Sequence, residues 1–372
     1  MQLDDIALTM VPSLGVKGVV HLLEVYGSAG AVFAASYDSL TEQAQLRPDV
    51  ARALLSRDSF RAAEREAAYC RRHDIIPVAS TDDEYPVLLR EVPDYPHVLY
   101  VRGNVAALSM RTVTFVGTRK MTSYGEQVCI DFIRALGGCV PDVCIVSGLA
   151  YGIDSATHRA ALYAGVPTVA VVANALPAVT PVSHTALARE IIEKGGAIIS
   201  ELHSQTKQNG SYFISRNRIL AALSCGTVIV ESAAGGGSLA TARLADGYNR
   251  PVMAVPGRVT ERASQGTNTL IRNRKASAVL SADDIVKELM WDFNLPAERG
   301  VALFEDLGPD TLTPAERLVV SLFRPSEVVS SDTLAERSGM VADELSATLM
   351  SLEMAGKICM LAGDKYELTE HF

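Results

Sequence analysis

The chain has 372 residues, 48% hydrophobic and 21% charged, with a net charge of −9. That is ordinary globular composition, at a length that holds two or three domains of roughly 100–200 residues each. Asp4 and Asp5 stand where a secretory leader carries basic residues, and the most apolar stretch, 168–182, is short and broken by Asn174, Pro177 and Pro181. Export and a membrane span are therefore not expected, and the expected location is the cytoplasm.

In chain order, residues 1–75 have a helical pattern and end in the charged, alanine-rich run "FRAAEREAAYCRRHD". From 76 to 290, seven β-branched runs alternate with amphipathic stretches: "TVTFVG", "DVCIVSG", "PTVAVVA", "GAIISE", "GTVIVES", "RPVMAVPG" and "SAVLS". Continuous apolar strands alternating with helices predict a doubly wound α/β domain around a mostly parallel sheet. Residues 291–312 read as an acidic linker. Residues 313–372 predict three helices and a strand pair, with Thr313 as N-cap and Pro314 at the first helical position, which describes a winged helix. That module carries five basic residues against ten acidic ones between Glu316 and Glu370, and its third helix, 341–355, has no lysine or arginine. Such a helix is poorly suited to phosphate, so the module is expected to contact protein or to regulate. The six cysteines form no CxxC pair and lie among aliphatic residues, as buried reduced thiols do; no metal-ligand spacing occurs.

An acidic chain is a poor candidate for nucleic acid, but the average hides a segregated segment. Between Lys207 and Lys275 there are ten basic residues and three acidic ones, a local balance of +7. The α/β region as a whole holds three loops suited to phosphate, since ligands of open parallel sheets bind beyond the carboxyl ends of strands. "GTRKMTSYGEQ" offers Gly117, Arg119 and Lys120. "SGLAYGIDSATH" offers Ser147, Gly148 and Gly152, with Asp154 expected to cap the next helix. "ESAAGGGSLATARLADG" offers Gly235, Gly236 and Gly237 before Ser238, an arrangement that can nest an anionic oxygen, with Arg243 further along the helix. Neither GxGxxG in the first loop nor GxxxxGK[ST] occurs, so no NAD, no P-loop nucleotide and no other cofactor is expected.

"FISRNRILAALS" places Arg216, Asn217 and Arg218 at the expected start of a helix, where positive charge opposes the macrodipole. An anion bound there would turn the penalty into attraction. Phe213 beside the arginines suits stacking on an unpaired base; equally, it could staple the helix to the core while the arginines stay solvated.

These stretches, with "YPVLLREVPDYPHVLYVRGN" and "QGTNTLIRNRKA", occur in an order that resembles the DNA-processing protein A family, also called Smf, which acts in natural transformation. The resemblance implies an extended Rossmann-like fold and no catalytic activity. It also implies binding of single-stranded DNA, usually as a homodimer, and loading of the RecA recombinase onto it. Position by position, it implies that Arg119 contacts phosphate. Ser147, Gly148, Phe213, Arg216, Asn217, Arg218, Gly237 and Ser238 then line the same pocket. The sequence departs from the family where Tyr151 and Ile214 stand in place of an arginine and a proline. Gly210 stands where a lysine is usual, leaving Lys207 as its possible substitute. The N-terminal "PSLGVKG", with Gly15 and Lys17, resembles the turn of a helix-hairpin-helix; a small helical packing domain, which the family often carries at this place, fits it equally well.

The competing reading is a nucleotide phosphoribohydrolase, which shares a Rossmann-like core and a "PGGxGTxxE" loop. Here the proline is absent and the helix offers Thr241 and Arg243 in place of the glutamate, so only Glu201 and Glu231 at strand ends could supply a carboxylate. Asp154 and His158, four apart, could pair as acid and base, but no nucleophile is set beside them.

Overall fold

The computed structural model describes residues 3–207, 209–291, 312–323, 328–354, 357–361 and 364–368. They divide between two compact units, Met1–Val301 and Ala302–Phe372.

The first unit begins with helices α1 (Leu3–Thr9), α2 (Gly15–Tyr26), α3 (Ala29–Ala34), α4 (Pro48–Leu55) and α5 (Asp58–Arg72). They enclose a core of their own around Ile6, Leu8, Leu22, Leu40 and Leu54. Buried polar contacts join them to the segment that enters the sheet: His97 Nε2 lies 3.1 Å from Asp5 Oδ1 of α1 and His97 Nδ1 lies 2.7 Å from Ser80 Oγ.

The strands are β1 (Ile76–Ala79), β2 (Val98–Gly103), β3 (Arg111–Val116), β4 (Val143–Ser147), β5 (Thr168–Val171), β6 (Ala197–Ser200), β7 (Thr227–Ile229), β8 (Val252–Ala254) and β9 (Ser277–Ala278). They form one sheet in the order β1-β2-β6-β5-β4-β3-β7-β8-β9. The seven apolar runs expected from the sequence are β3 to β9, and every pairing among them is parallel, with Ile145 of β4 in register with Val113 of β3 and Thr168 of β5. The sequence reading did not anticipate β1 and β2, which extend one edge antiparallel. The helices between are α6 (Val87–Arg90), α7 (Ser123–Cys139), α8 (Ile153–Tyr163), α9 (Thr185–Glu193), α10 (Tyr212–Ala222), α11 (Ser238–Gly247), α12 (Gln265–Arg272) and α13 (Ala282–Glu288).

Two apolar layers cover the sheet, as parallel strands require. On one face Val116, Val146, Val169 and Ile199 pack with Leu220 of α10 and Ala245 of α11. On the other, Phe115, Ile145 and Val228 pack with Ile133 and Leu136 of α7 and Ile285 of α13. The two buried threonines of β3 are not wasted on the apolar layer. Thr112 Oγ1 donates to Leu223 O at 2.7 Å and Thr114 Oγ1 to Leu220 O at 2.8 Å, satisfying carbonyls at the end of α10 that lack a helical partner and fixing that helix on the sheet. The chain winds from β3 through β4 and β5 to β6, then returns to place β7 on the other side of β3. That reversal opens a crevice at the carboxyl ends of β3 and β7, the place where such sheets bind ligands.

The second unit contains α14 (Pro314–Ser321), β10 (Val328–Ser330), α15 (Ser331–Ser338), α16 (Ala342–Met354), β11 (Ile358–Leu361) and β12 (Lys365–Leu368), with strand order β10-β12-β11. It is a winged helix. Thr313 caps α14 as expected, in a reciprocal box with Glu316. The linker expected at 291–312 lies outside the described residues except at its ends, where Trp291 and Leu312 are each buried in the core of their own unit. Cys359 of β11 is exposed, so the expectation of buried thiols fails there; for Cys70, Cys129 and Cys144, burial pushes the thiol up to about 12. No helix among the described residues is long and apolar enough to cross a membrane.

Candidate nucleic-acid interface

α10 starts at Tyr212, so Arg216 and Arg218 fall in its second turn and beyond. The expectation of cations at the helix start is thereby corrected, and the dipole penalty, confined to the first turn, largely disappears. The partners of both arginines are internal. Arg216 is buried, and its Nη1 donates to Gly148 O at 2.7 Å and to Val171 O, two carbonyls at the ends of β4 and β5. The carboxylate of Asp154 lies alongside. Burial lowers the Arg216 guanidinium and raises the Asp154 carboxyl, and each charge opposes the other's shift. Arg218 Nη2 meets Glu201 Oε2 at 2.5 Å, with Asp94 3.9 Å from its Nε. These two side chains form a floor beneath the surface at the carboxyl ends of β4, β5 and β6. Ser147 also belongs to the floor: it is fully buried and its hydroxyl donates to Phe115 O at 2.7 Å, tying β4 to β3 rather than facing a ligand.

Gly148 sits over this floor. A Cβ there would lie 2.5 Å from Asp154 Oδ2 and 2.7 Å from Arg216 Nη1, so a side chain would displace the buried Asp154 and Arg216 groups. Asp154 does not cap α8 as expected. Gly152 occupies the N-cap position and the Asp154 carboxylate accepts from the Ala150 amide at 3.3 Å. His158, four residues on, is equally structural. Thr168 Oγ1 donates to Ile145 O at 2.7 Å, so the 2.8 Å contact with His158 Nδ1 assigns the ring proton to Nδ1. Burial depresses its pKa to about 3, so the ring is neutral.

The loops after β3 and β7 are locked together by Glu231. Its carbonyl accepts from the Thr118 amide at 2.8 Å, and its carboxylate accepts from the Thr122 amide at 2.9 Å and the Thr122 hydroxyl at 2.5 Å. Glu231 and Glu201, the two carboxylates that an N-glycosidic hydrolysis would have needed, are thus engaged in holding a helix start and an arginine. A Cβ on Gly117 would approach Ile153 Cγ1 to 2.5 Å, so this glycine permits close packing of loop against helix.

What faces outward is a different set. Arg119 and Lys120 are exposed, and the Arg119 guanidinium stands 5.5 Å from the centre of the Phe213 ring, a cation–π contact. In the loop before α11, Gly236 is crowded by Ser232, but a Cβ on Gly235 or Gly237 would meet no atom within 4 Å. Gly237 has φ −62°, which any residue adopts. Among the described residues no contact requires glycine at these two positions, and their Cβ positions face open space. Ser238 is buried and donates to Ser232 Oγ at 2.9 Å. Lys207 and Arg243 are exposed and Asn217 is half-buried.

The structure therefore brings together Gly117 and Arg119 of the loop after β3, Gly148 of the loop after β4, and Phe213 and Arg216 of α10. It also redistributes the charge of the 207–275 segment. Arg216 and Arg218 are engaged within the floor, Arg250 pairs with Glu91 at 2.5 Å and Lys275 with Asp246 at 3.0 Å. Lys207, Arg243, Arg258, Arg262, Arg272 and Arg274 remain exposed. Sequence reasoning did not find the role of Glu231. Its signal was a lone acidic residue at the end of an apolar strand, in a segment otherwise poor in acid.

A family model described as DNA recombination-mediator protein A matches residues 77–290. The chain belongs to this family. A second model, the DprA winged helix domain, matches residues 305–364. Among DNA-processing relatives, Protein Smf of Escherichia coli (strain K12) is 35% identical over 292 residues, covering 78% of this chain and 76% of that protein. DNA processing protein DprA of Bacillus subtilis (strain 168) is 36% identical over 224 residues, covering 60% and 74%. The crystal structure of DprA from Streptococcus pneumoniae superposes with a TM-score of 0.67 at 27% identity, covering 79% of this chain and 99% of that one. A structure of DNA processing protein A from Helicobacter pylori, described by its single-stranded DNA binding mode, gives 0.53 at 27% identity, covering 59% and 98%.

Proposed function

We propose that this protein binds single-stranded DNA across the carboxyl ends of β3, β4 and β7 and delivers it to a RecA recombinase, in natural transformation and recombination, as a cytoplasmic homodimer without catalytic activity. The observation that carries the DNA reading is the exposed Arg119 set against the half-buried Phe213 ring, a cation and an aromatic face at the carboxyl end of the sheet. The single-stranded DNA binding described for the Helicobacter pylori relative supports it. In this reading Arg119, Lys120, Lys207, Asn217 and Arg243 meet phosphate, and Phe213 stacks on a base. Gly237 lets the strand come close to the backbone, while Gly117, Gly148 and Ser238 pack inward and hold the loops in place. Ser147, Arg216 and Arg218 act beneath, as supports. Recombinase delivery rests on family membership alone.

The test is a titration of single-stranded and blunt duplex oligonucleotides at several salt concentrations. Tighter binding of the single strand, weakening steeply with salt, is expected because stacking needs unpaired bases and phosphate contacts release counterions. Equal affinity for the duplex, or turnover of nucleoside monophosphates, overturns the proposal.

A further inference from the structure

We infer that Tyr151 is a second stacking platform for an unpaired base, beside Arg119 and on the β4–β5 side of the crevice. This role rests on the single-strand reading proposed for the crevice, and it falls to a residue for which composition and motif gave none.

Tyr151 lies in the turn between β4 and α8, and 53% of it is exposed. Exposed tyrosines are common, but this one is held in place. Its hydroxyl lies 3.0 Å from Ser183 Oγ, and its ring meets His184 edge-to-face with centroids 5.0 Å apart. His184 is itself buried and fixed, with Nδ1 2.8 Å from Leu149 O in the same turn as Tyr151. The ring is thus anchored at its polar end and buttressed on one side while the rest stays open to solvent. A rigid aromatic face of this kind loses little entropy when a base settles on it.

The turn is shaped to place it there. Leu149 adopts φ +61° although it carries a side chain and is fully buried, a backbone state kept only where the surroundings impose it. Gly152, at φ +77°, allows the turn to press against the neighbouring loop: a Cβ there would run into Thr118 O and lie 2.8 Å from the Arg119 Cα. The Ile153 amide completes the contact by donating to Thr118 O at 3.1 Å. Tyr151 therefore precedes the residue that touches the Arg119 backbone, and the Arg119 side chain leads on to Phe213. The order tyrosine, arginine, phenylalanine gives a strand one cation for a phosphate between two faces for bases.

The chemistry separates this role from a phosphate contact. A neutral phenol releases no counterion, so its contribution is independent of salt. The test measures binding of a labelled oligothymidine by full-length protein carrying Tyr151→Ala, Tyr151→Phe, Arg119→Ala or Phe213→Ala, each confirmed as folded by its melting curve. Tyr151→Ala is expected to weaken binding by roughly fivefold to a hundredfold, the range for one stacked base, with an unchanged salt slope, and Tyr151→Phe to bind nearly as wild type. Photocross-linking to an oligonucleotide containing 5-iododeoxyuridine should attach to Tyr151. Wild-type affinity in Tyr151→Ala while Arg119→Ala is impaired overturns this inference and leaves the single-strand reading standing. Equal losses in the alanine and phenylalanine variants also overturn it, because the hydroxyl and not the face would then matter. Unchanged affinity in all four variants removes the single-strand reading, and this inference with it.

Discussion

The outward face of the crevice and the floor beneath it are built from the same residue types, and they do opposite jobs. On the face, Arg119 is exposed and rests against an aromatic ring. In the floor, Arg216 is sealed between two strand-end carbonyls and a buried carboxyl, and Arg218 is held by Glu201 and Asp94. An arginine in a basic stretch is available to DNA only if its charge is not already spent inside the protein. Burial and partners, not residue type, decide which kind it is.

The sharpest way to break this comparison is to remove a floor arginine. Arg216→Ala removes the donor to Gly148 O and Val171 O and a charge that favours the buried Asp154 carboxylate, and should destabilise the fold by about 1–3 kcal/mol. Adding Asp154→Asn should recover part of that loss. Chemical denaturation of the single and double variants checks both statements, and a single variant as stable as wild type would make Arg216 a surface residue in all but position. On the face the effect should be on binding instead. Arg119→Ala should weaken single-strand affinity by about 1.5–3 kcal/mol for a lost charged hydrogen bond and lower the salt slope by about one unit. Its stability should stay within about 0.5 kcal/mol of wild type.

A third prediction concerns protons. His158 titrates near 3 in the folded protein against an ordinary 6.5, so the unfolded chain binds its proton more readily. This contribution to stability is complete above pH 6.5 and is lost as pH falls from there toward 3, by up to about 1.4 kcal/mol per pH unit. Replacing His158 with Gln should flatten the acid limb of the stability profile, while Arg119→Ala should leave it unaltered. The smallest effect is expected at Gly237. Its φ is ordinary and its Cβ position is empty, so Gly237→Ala should stabilise the free protein by about 0.4–1 kcal/mol. The same change should reduce DNA affinity by narrowing the approach to α11. A stabilised variant with unimpaired binding would show that the open space has no occupant.

The parallel half of the sheet was legible because β3 to β9 are short β-branched runs separated by amphipathic stretches. The β1–β2 edge was not: Ile76–Ala79 spans four residues including Pro77, and it pairs antiparallel with a strand that only tertiary structure supplies. The three loops were legible from their glycines. The division of the arginines between face and floor was not, because Asp94, Asp154 and Glu201 are far from Arg216 and Arg218 in sequence and declare themselves only when the chain folds. The start of α10 was misplaced for a local reason: Tyr212 and Phe213 already lie in its first turn, which moves every later residue inward along the helix.

Glu231 has a mechanical consequence of its own. Because one residue grips Thr118 through its backbone and Thr122 through its carboxylate, the loops on either side of the switch point cannot separate independently. It works as a calliper set to one opening. The gap between Arg119 and the glycine loop has its width set by the fold, so on the single-strand reading proposed above the protein would gauge its ligand rather than mould itself around it. On that reading, substitutions on the rim would alter how tightly a strand is held and leave the size of strand admitted unchanged.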